Sequence, residues 1–157
     1  MGKIEFVSGW QKRDARLEQD AIAAWTAQGA LPEDVNPQDR AREICSIAYD
    51  SDTLAAISTV DIRPCKPLRN RLFGYLRVFT LPQYEQQEIA IGLAIHCRDT
   101  LEQWSLENPD AKLCGMAAVY QSPKLGPTPV GKSGLTLIGY TPQGYQHRIV
   151  WFKHIRT

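Results

Sequence analysis

The chain has 157 residues, 18 Lys+Arg against 17 Asp+Glu, 43% hydrophobic and 22% charged residues, the composition of one ordinary globular domain. A chain of this length buries roughly 68–70% of its unfolded surface, so its core needs neither disulfides nor metal. The net charge of +1 argues against nucleic acid and anionic membrane as partners, because both require basic clusters.

The four cysteines, Cys45, Cys65, Cys97 and Cys114, contain no CxxC pair, and His96, His147 and His154 complete no metal-ligand spacing. They read as core thiols of a reducing compartment, with no metal site. The N-terminal segment lacks an apolar signal region and no run of about 20 apolar residues occurs, so a cytoplasmic address with no membrane span is expected.

In chain order, residues 14–28 place Leu17, Ala21, Ala24 and Trp25 at helical spacing, and Gly29 follows as a C-cap. Residues 29–38, with Pro32 and Pro37, read as a connection, and 39–42 as a short polar helical turn. Residues 44–49 and 53–62 are β-rich runs around the turn-forming trio Asp50-Ser51-Asp52, a hairpin closed by Pro64 and Pro67. Residues 71–80 predict a long strand ended by Pro82. The spacing of Ile89, Leu93, Cys97, Leu101 and Trp104 predicts a helix over 89–106, stopped at Asn108-Pro109. Residues 112–120 form an apolar run suited to a buried strand, which completes a βαβ unit. Residues 135–140 and 145–154 flank Thr141-Pro142-Gln143-Gly144 as a final hairpin.

Gly126 to Ser133 matches GxxxxGK[ST], the phosphate-cradling loop of nucleoside-triphosphate enzymes. That loop works through consecutive backbone N–H groups and a following helix. Pro127 and Pro129 have no N–H, and a strand pattern follows Gly134, so the segment reads as a Pro/Gly loop with a solvated lysine.

A different constellation carries more. The strand 72–80, the Thr80-x-Pro82 exit, a polar loop and the helix opening at Ile89-Ala90 resemble the acetyl-coenzyme A motif of the GCN5-related N-acetyltransferase (GNAT) superfamily. That motif runs strand, V-x-P, then R/Q-x-x-G-x-G/A into a helix. The Tyr49–Val60 hairpin, the Leu68-Arg69-Asn70-Arg71 lead-in and Leu137-Ile138-Gly139-Tyr140 are similar to the same superfamily. The resemblance implies an α/β fold, a GNAT-like mixed and mostly antiparallel twisted sheet flanked by helices, as a single acyltransferase domain over 1–157.

It also implies acetyl-CoA or another acyl-CoA as co-substrate, with direct acyl transfer to an amine of a small molecule or protein. Val78 and Thr80 would line the pantetheine arm, and the backbone amides of Gln86, Gln87, Ile89 and Ala90 would face the pyrophosphate at a helix N-terminus. The chain departs from the pattern at Glu85, in the R/Q position, and at Glu88, in the first glycine position. One carboxylate about 5 Å from one phosphate charge costs roughly 3 kcal/mol at an effective dielectric near 20. The alternative is therefore a non-catalytic binding or interaction protein of the same fold that has lost acyl-CoA use.

No catalytic residue stands out. Tyr120 and Tyr140 lie nearest the family's tyrosine acid but read as packed strand aromatics. Glu43 and Asp61 are bases only if they face the cleft. Arg69, Arg71 and Arg77 read as a solvated strand face, and His96 as a satisfied flank of the long helix. The strand 145–154 is apolar enough either to pair with a second copy of the chain as a homodimer or to complete its own sheet.

Overall fold

The computed structural model describes residues 3–85, 88–120 and 133–155. Among them are seven strands and three α-helices. The first strand, β1 (Ile4–Ser8), is followed by helices α1 (Ala15–Gln28) and α2 (Pro37–Ala41) and strands β2 (Ile44–Asp50), β3 (Thr53–Cys65) and β4 (Arg71–Thr80). Helix α3 (Ile89–Glu107) and strands β5 (Leu113–Tyr120), β6 (Thr136–Tyr140) and β7 (Gln146–Trp151) complete the chain. The strand order in the sheet is β1-β2-β3-β4-β5-β7-β6. The α/β class and mixed sheet expected from the sequence are present. The chain divides into two compact units, Met1–Val60 with Arg77–Thr100, and Asp61–Leu76 with Leu101–Thr157.

In the first unit, Asp14 caps α1 by accepting from the Arg16 and Leu17 amides, and Gly29 ends it at φ 57°, where a residue without Cβ avoids the left-handed penalty. Leu17, Ala21 and Trp25 enter the core with Ile44, Ile47, Ile57, Ile89 and Leu93. Each such large side chain contributes about 1.5–3 kcal/mol of burial. β1 pairs antiparallel with β2, from Ile4↔Asp50 to Ser8↔Ser46. This strand is not predicted from the sequence, since five residues give a short alternation that only pairing with β2 stabilises.

Two boundaries also shift. Helix α2 begins at Pro37, not 39, because the Asn36 side chain accepts from the Gln38 and Asp39 amides and Pro37 sits at the position that needs no N–H. Strand β3 runs through Pro64 to Cys65 and does not stop at 62. Its pairing with β2 ends at Thr59, and beyond the last ladder bond a proline removes no donor that β2 needs. The 50–52 turn forms as expected, with Ser51 at φ 55°.

In the second unit, β4 and β5 pair in parallel from Leu72↔Leu113 to Tyr75↔Ala117, the βαβ arrangement expected across α3. β7 pairs antiparallel with both β5 and β6, and the hairpin turn places Gly144 at φ 88°. The core holds Cys65, Phe73, Tyr75, Cys114, Ala117 and Ile149. All four cysteines are buried free thiols, as expected. The Gly126 to Ser133 motif lies outside the described residues except for Ser133.

Candidate functional site

Strand β4 continues five residues past Tyr75, the last residue paired with β5, to Thr80. A one-turn 3-10 segment, Pro82–Tyr84, then reverses the chain. Two bonds fix this exit: the Leu81 amide donates to the Ala55 carbonyl at 2.9 Å, and the Tyr84 hydroxyl donates to Asp50 Oδ2 at 2.8 Å. The chain is thereby aimed into α3, whose first intrahelical bond runs from the Gly92 amide to the Glu88 carbonyl at 3.4 Å. The amides of Ile89, Ala90 and Ile91 precede that bond and form the donor end of the helix.

Of the residues assigned to acyl-CoA, Val78 is 37% exposed, Thr80 and Ala90 are half-buried, and Ile89 sends its side chain into the core. Gln86 and Gln87 lie outside the described residues. Glu88 stands at φ 55°, the left-handed region in which glycine is unstrained and other residues cost about 1–2 kcal/mol. This is the position that the resemblance gives to the motif's first glycine. The loop therefore keeps a glycine conformation at a residue that is a glutamate, and a carboxylate there also favours the helix N-terminus by about 0.3–1 kcal/mol.

Val78 also borders a cleft of ≈ 180 Å³ whose walls include Trp25, Leu31, Ile57, Arg77 and Phe79. Its polar side is ordered. The Arg77 guanidinium donates to Thr59 Oγ1 at 3.2 Å and to Glu43 Oε1, and Arg40 lies 3.8 Å from the same Glu43 oxygen. Glu43 is thus shared by two guanidinium groups and is not offered to a substrate amine. Asp61 is taken up by Arg63 at 3.6 Å. Arg69 is exposed, as expected, but Arg71 and Arg77 depart from the solvated face and are half-buried, and Arg71 sits 5.2 Å from the Trp151 ring centre. Trp25, Leu31 and Phe79 were not among the sequence candidates. The odd positions of β4, Arg71, Phe73, Tyr75, Arg77 and Phe79, held a signal, because large aromatics and two arginines at alternate positions share one chemically mixed face of the strand.

Of the two candidate tyrosines, Tyr140 is 62% exposed and not packed as expected. Tyr120 lies beneath the Arg148 guanidinium at 5.4 Å, and burial raises its phenol above the ordinary value. His96 is satisfied, as expected: Nδ1 lies 3.0 Å from Ser46 Oγ and the ring stacks on Phe6. In the second unit the Tyr75 hydroxyl lies 3.0 Å from His147 Nε2, with Cys65 Sγ at 3.9 Å from the same nitrogen and Arg63 over the Tyr75 ring at 4.0 Å. Burial lowers His147 below the ordinary imidazole value and raises Tyr75 above the phenol value, both of which favour the uncharged forms. Tyr75 and Cys65 are closed to solvent, which makes this network a fixed part of the core. Among the described residues no group of His, Cys, Asp and Glu is arranged to hold a metal ion.

No family model matches the chain, and no curated protein does. Solved structures do. The chain is similar to an acetyltransferase of the GNAT family from Streptococcus pneumoniae, at 11% identity, TM-score 0.57, over 95% of this chain and 99% of that one. A GNAT-family acetyltransferase from Listeria monocytogenes gives 10% identity and TM-score 0.54 over 96% and 95%. A mutant of the AtaT toxin bound to the C-terminus of the antitoxin AtaR and acetyl-CoA gives 14% and 0.56 over 96% and 93%. The chain has the fold of the GNAT acetyltransferases, an α/β fold with a mostly antiparallel sheet.

Proposed function

We propose that residues 1–157 act as one acyl-CoA-dependent N-acyltransferase domain, transferring an acyl group, acetyl in the simplest case, to an amine of a small molecule or protein. The observation that carries this reading is the β4 exit. A strand running past its last parallel pair is turned by Pro82 into a helix whose N-terminal amides start immediately after a left-handed residue at the motif's glycine position. In this reading Val78 and Thr80 line the pantetheine arm, and the amides of Gln86, Gln87, Ile89 and Ala90 receive the pyrophosphate. The cleft bounded by Trp25, Leu31, Arg77 and Phe79 takes the acceptor, whose neutral amine attacks the thioester carbonyl. The N–acyl bond forms, the C–S bond breaks, and the amine proton leaves with the thiolate as free coenzyme thiol.

Incubation with acetyl-CoA and a panel of primary amines and lysine peptides tests the reaction through thiol release. The expected result is release above the amine-free rate with at least one acceptor class, and a raised acceptor KM in Arg77→Gln. Thiol release that no amine accelerates contradicts it. A second reading rests on Glu85 and Glu88, which place two carboxylates where a phosphate would dock. A protein of this fold that has given up acyl-CoA would bind a partner through the same cleft, release no thiol and show no affinity for the coenzyme.

A further inference from the structure

We propose that the second unit carries a separate binding site for a small organic anion, a compact apolar body bearing one phosphate or carboxylate group, in the cleft where β4 and β5 begin. The cleft encloses ≈ 370 Å³ and is lined by Asn70, Arg71, Leu72, Lys112, Cys114 and Ile155. That volume falls in the roughly 300–1,000 Å³ range of small-ligand sites. It shares no residue with the β4 exit and the first turn of α3.

Three independent observations converge on it. The first is charge. Arg71 and Lys112 both line the cleft, and no carboxylate pairs with either among the described residues. Two cations facing one cavity without an acid between them are repaid by an anion that accepts from both. The second is order. Arg71 is stacked over Trp151, and Trp151 meets the buried Phe73 edge-on at 5.0 Å and 70°. A guanidinium fixed on an aromatic platform loses less freedom when it binds, which is how preorganised sites gain affinity.

The third is backbone conformation. Arg69, Asn70 and Lys112 stand at φ 59°, 60° and 56°, three of the seven non-glycine residues at positive φ among those described. Arg69 and Lys112 are the left-handed ends of two 3-10 turns, Lys66–Leu68 and Pro109–Ala111. These turns deliver β4 and β5 side by side at Leu72↔Leu113. Strained non-glycine residues cluster where a ligand site must be shaped, and here they set Asn70 and Lys112 at its rim. Leu72 and Ile155 supply apolar wall, which inorganic phosphate alone would leave unused.

Backbone-resolved NMR titration of the full chain with phenyl phosphate, benzyl alcohol and inorganic phosphate tests the site. Phenyl phosphate is expected to give saturable shifts at the Asn70, Leu72, Lys112 and Cys114 amides. Benzyl alcohol should give none there, and inorganic phosphate should bind more weakly. Lys112→Gln, at an exposed position, and Arg71→Gln should each weaken phenyl phosphate by about tenfold, the loss of one charge-assisted hydrogen bond. The proposal is overturned by absence of saturable shifts at those amides, by equal binding of benzyl alcohol or inorganic phosphate, or by unchanged affinity in both variants.

Discussion

Glu88 concentrates two opposed demands in one residue. Its left-handed φ of 55° costs about 1–2 kcal/mol for a side chain with a Cβ, while its carboxylate gains about 0.3–1 kcal/mol at the start of α3. Replacing it with glycine removes the strain, removes the carboxylate, and adds about 0.5–1 kcal/mol of unfolded-chain entropy. These contributions nearly cancel, so Glu88→Gly should leave the denaturation midpoint within about 1 kcal/mol of wild type. A larger loss would show that the carboxylate holds the loop together. The Arg77 to Glu43 pair is a different case, with both side chains about one-third exposed. Solvent screening limits its worth, and Arg77→Gln should cost about 1 kcal/mol or less by urea denaturation, keeping the variant usable in kinetic work.

The strands carry the sharpest structural test. Gly115 on β5 lies opposite Trp151 of β7, and a Cβ there would stand 2.1 Å from the Val150 carbonyl oxygen and 2.8 Å from the Phe73 ring. Backbone cannot withdraw as a side chain can. Gly115→Ala should therefore destabilise by about 3 kcal/mol or abolish folding, as read by chemical denaturation. A near-neutral result would mean β5 and β7 are farther apart than described. The elements legible in sequence were those with complete local signals. Leu17, Ala21 and Trp25 between Asp14 and Gly29 define α1, and Ile89, Leu93, Cys97 and Leu101 define α3. Elements set by partners were not legible. Ile4–Ser8 is a strand because β2 lies beside it, and β3 passes Pro64 because no β2 ladder remains there to lose a donor. For the candidate site, the exit at Pro82 and the helix start at Ile89 could be read from residue types. The cleft of Trp25, Leu31 and Phe79 could not, because its walls come from four segments separated in sequence.

At the scale of the whole molecule, no helix among the described residues is long and apolar enough to cross a membrane. Stability should depend on pH through two imidazoles. His96 and His147 are both held below the ordinary value, His96 chiefly by burial and His147 by burial and then by Arg63. Below about pH 6.5 the unfolded chain takes up these protons before the folded one does. Their contribution is therefore present at neutral pH and lost as pH falls through 6.5 toward the folded values. Denaturation midpoints should decline between pH 7 and 5, less steeply in His147→Gln; an unchanged slope in that variant would remove His147 from the account.

The central claim is that the β4 exit and the first turn of α3 form an acyl-CoA site, and calorimetric titration with acetyl-CoA and free coenzyme A tests it most directly. The account predicts binding by the wild type and binding tighter by at least about tenfold in Glu88→Gly, since one carboxylate near one phosphate opposes binding by roughly 3 kcal/mol before screening. Absence of binding in both proteins, with both folded, would contradict it.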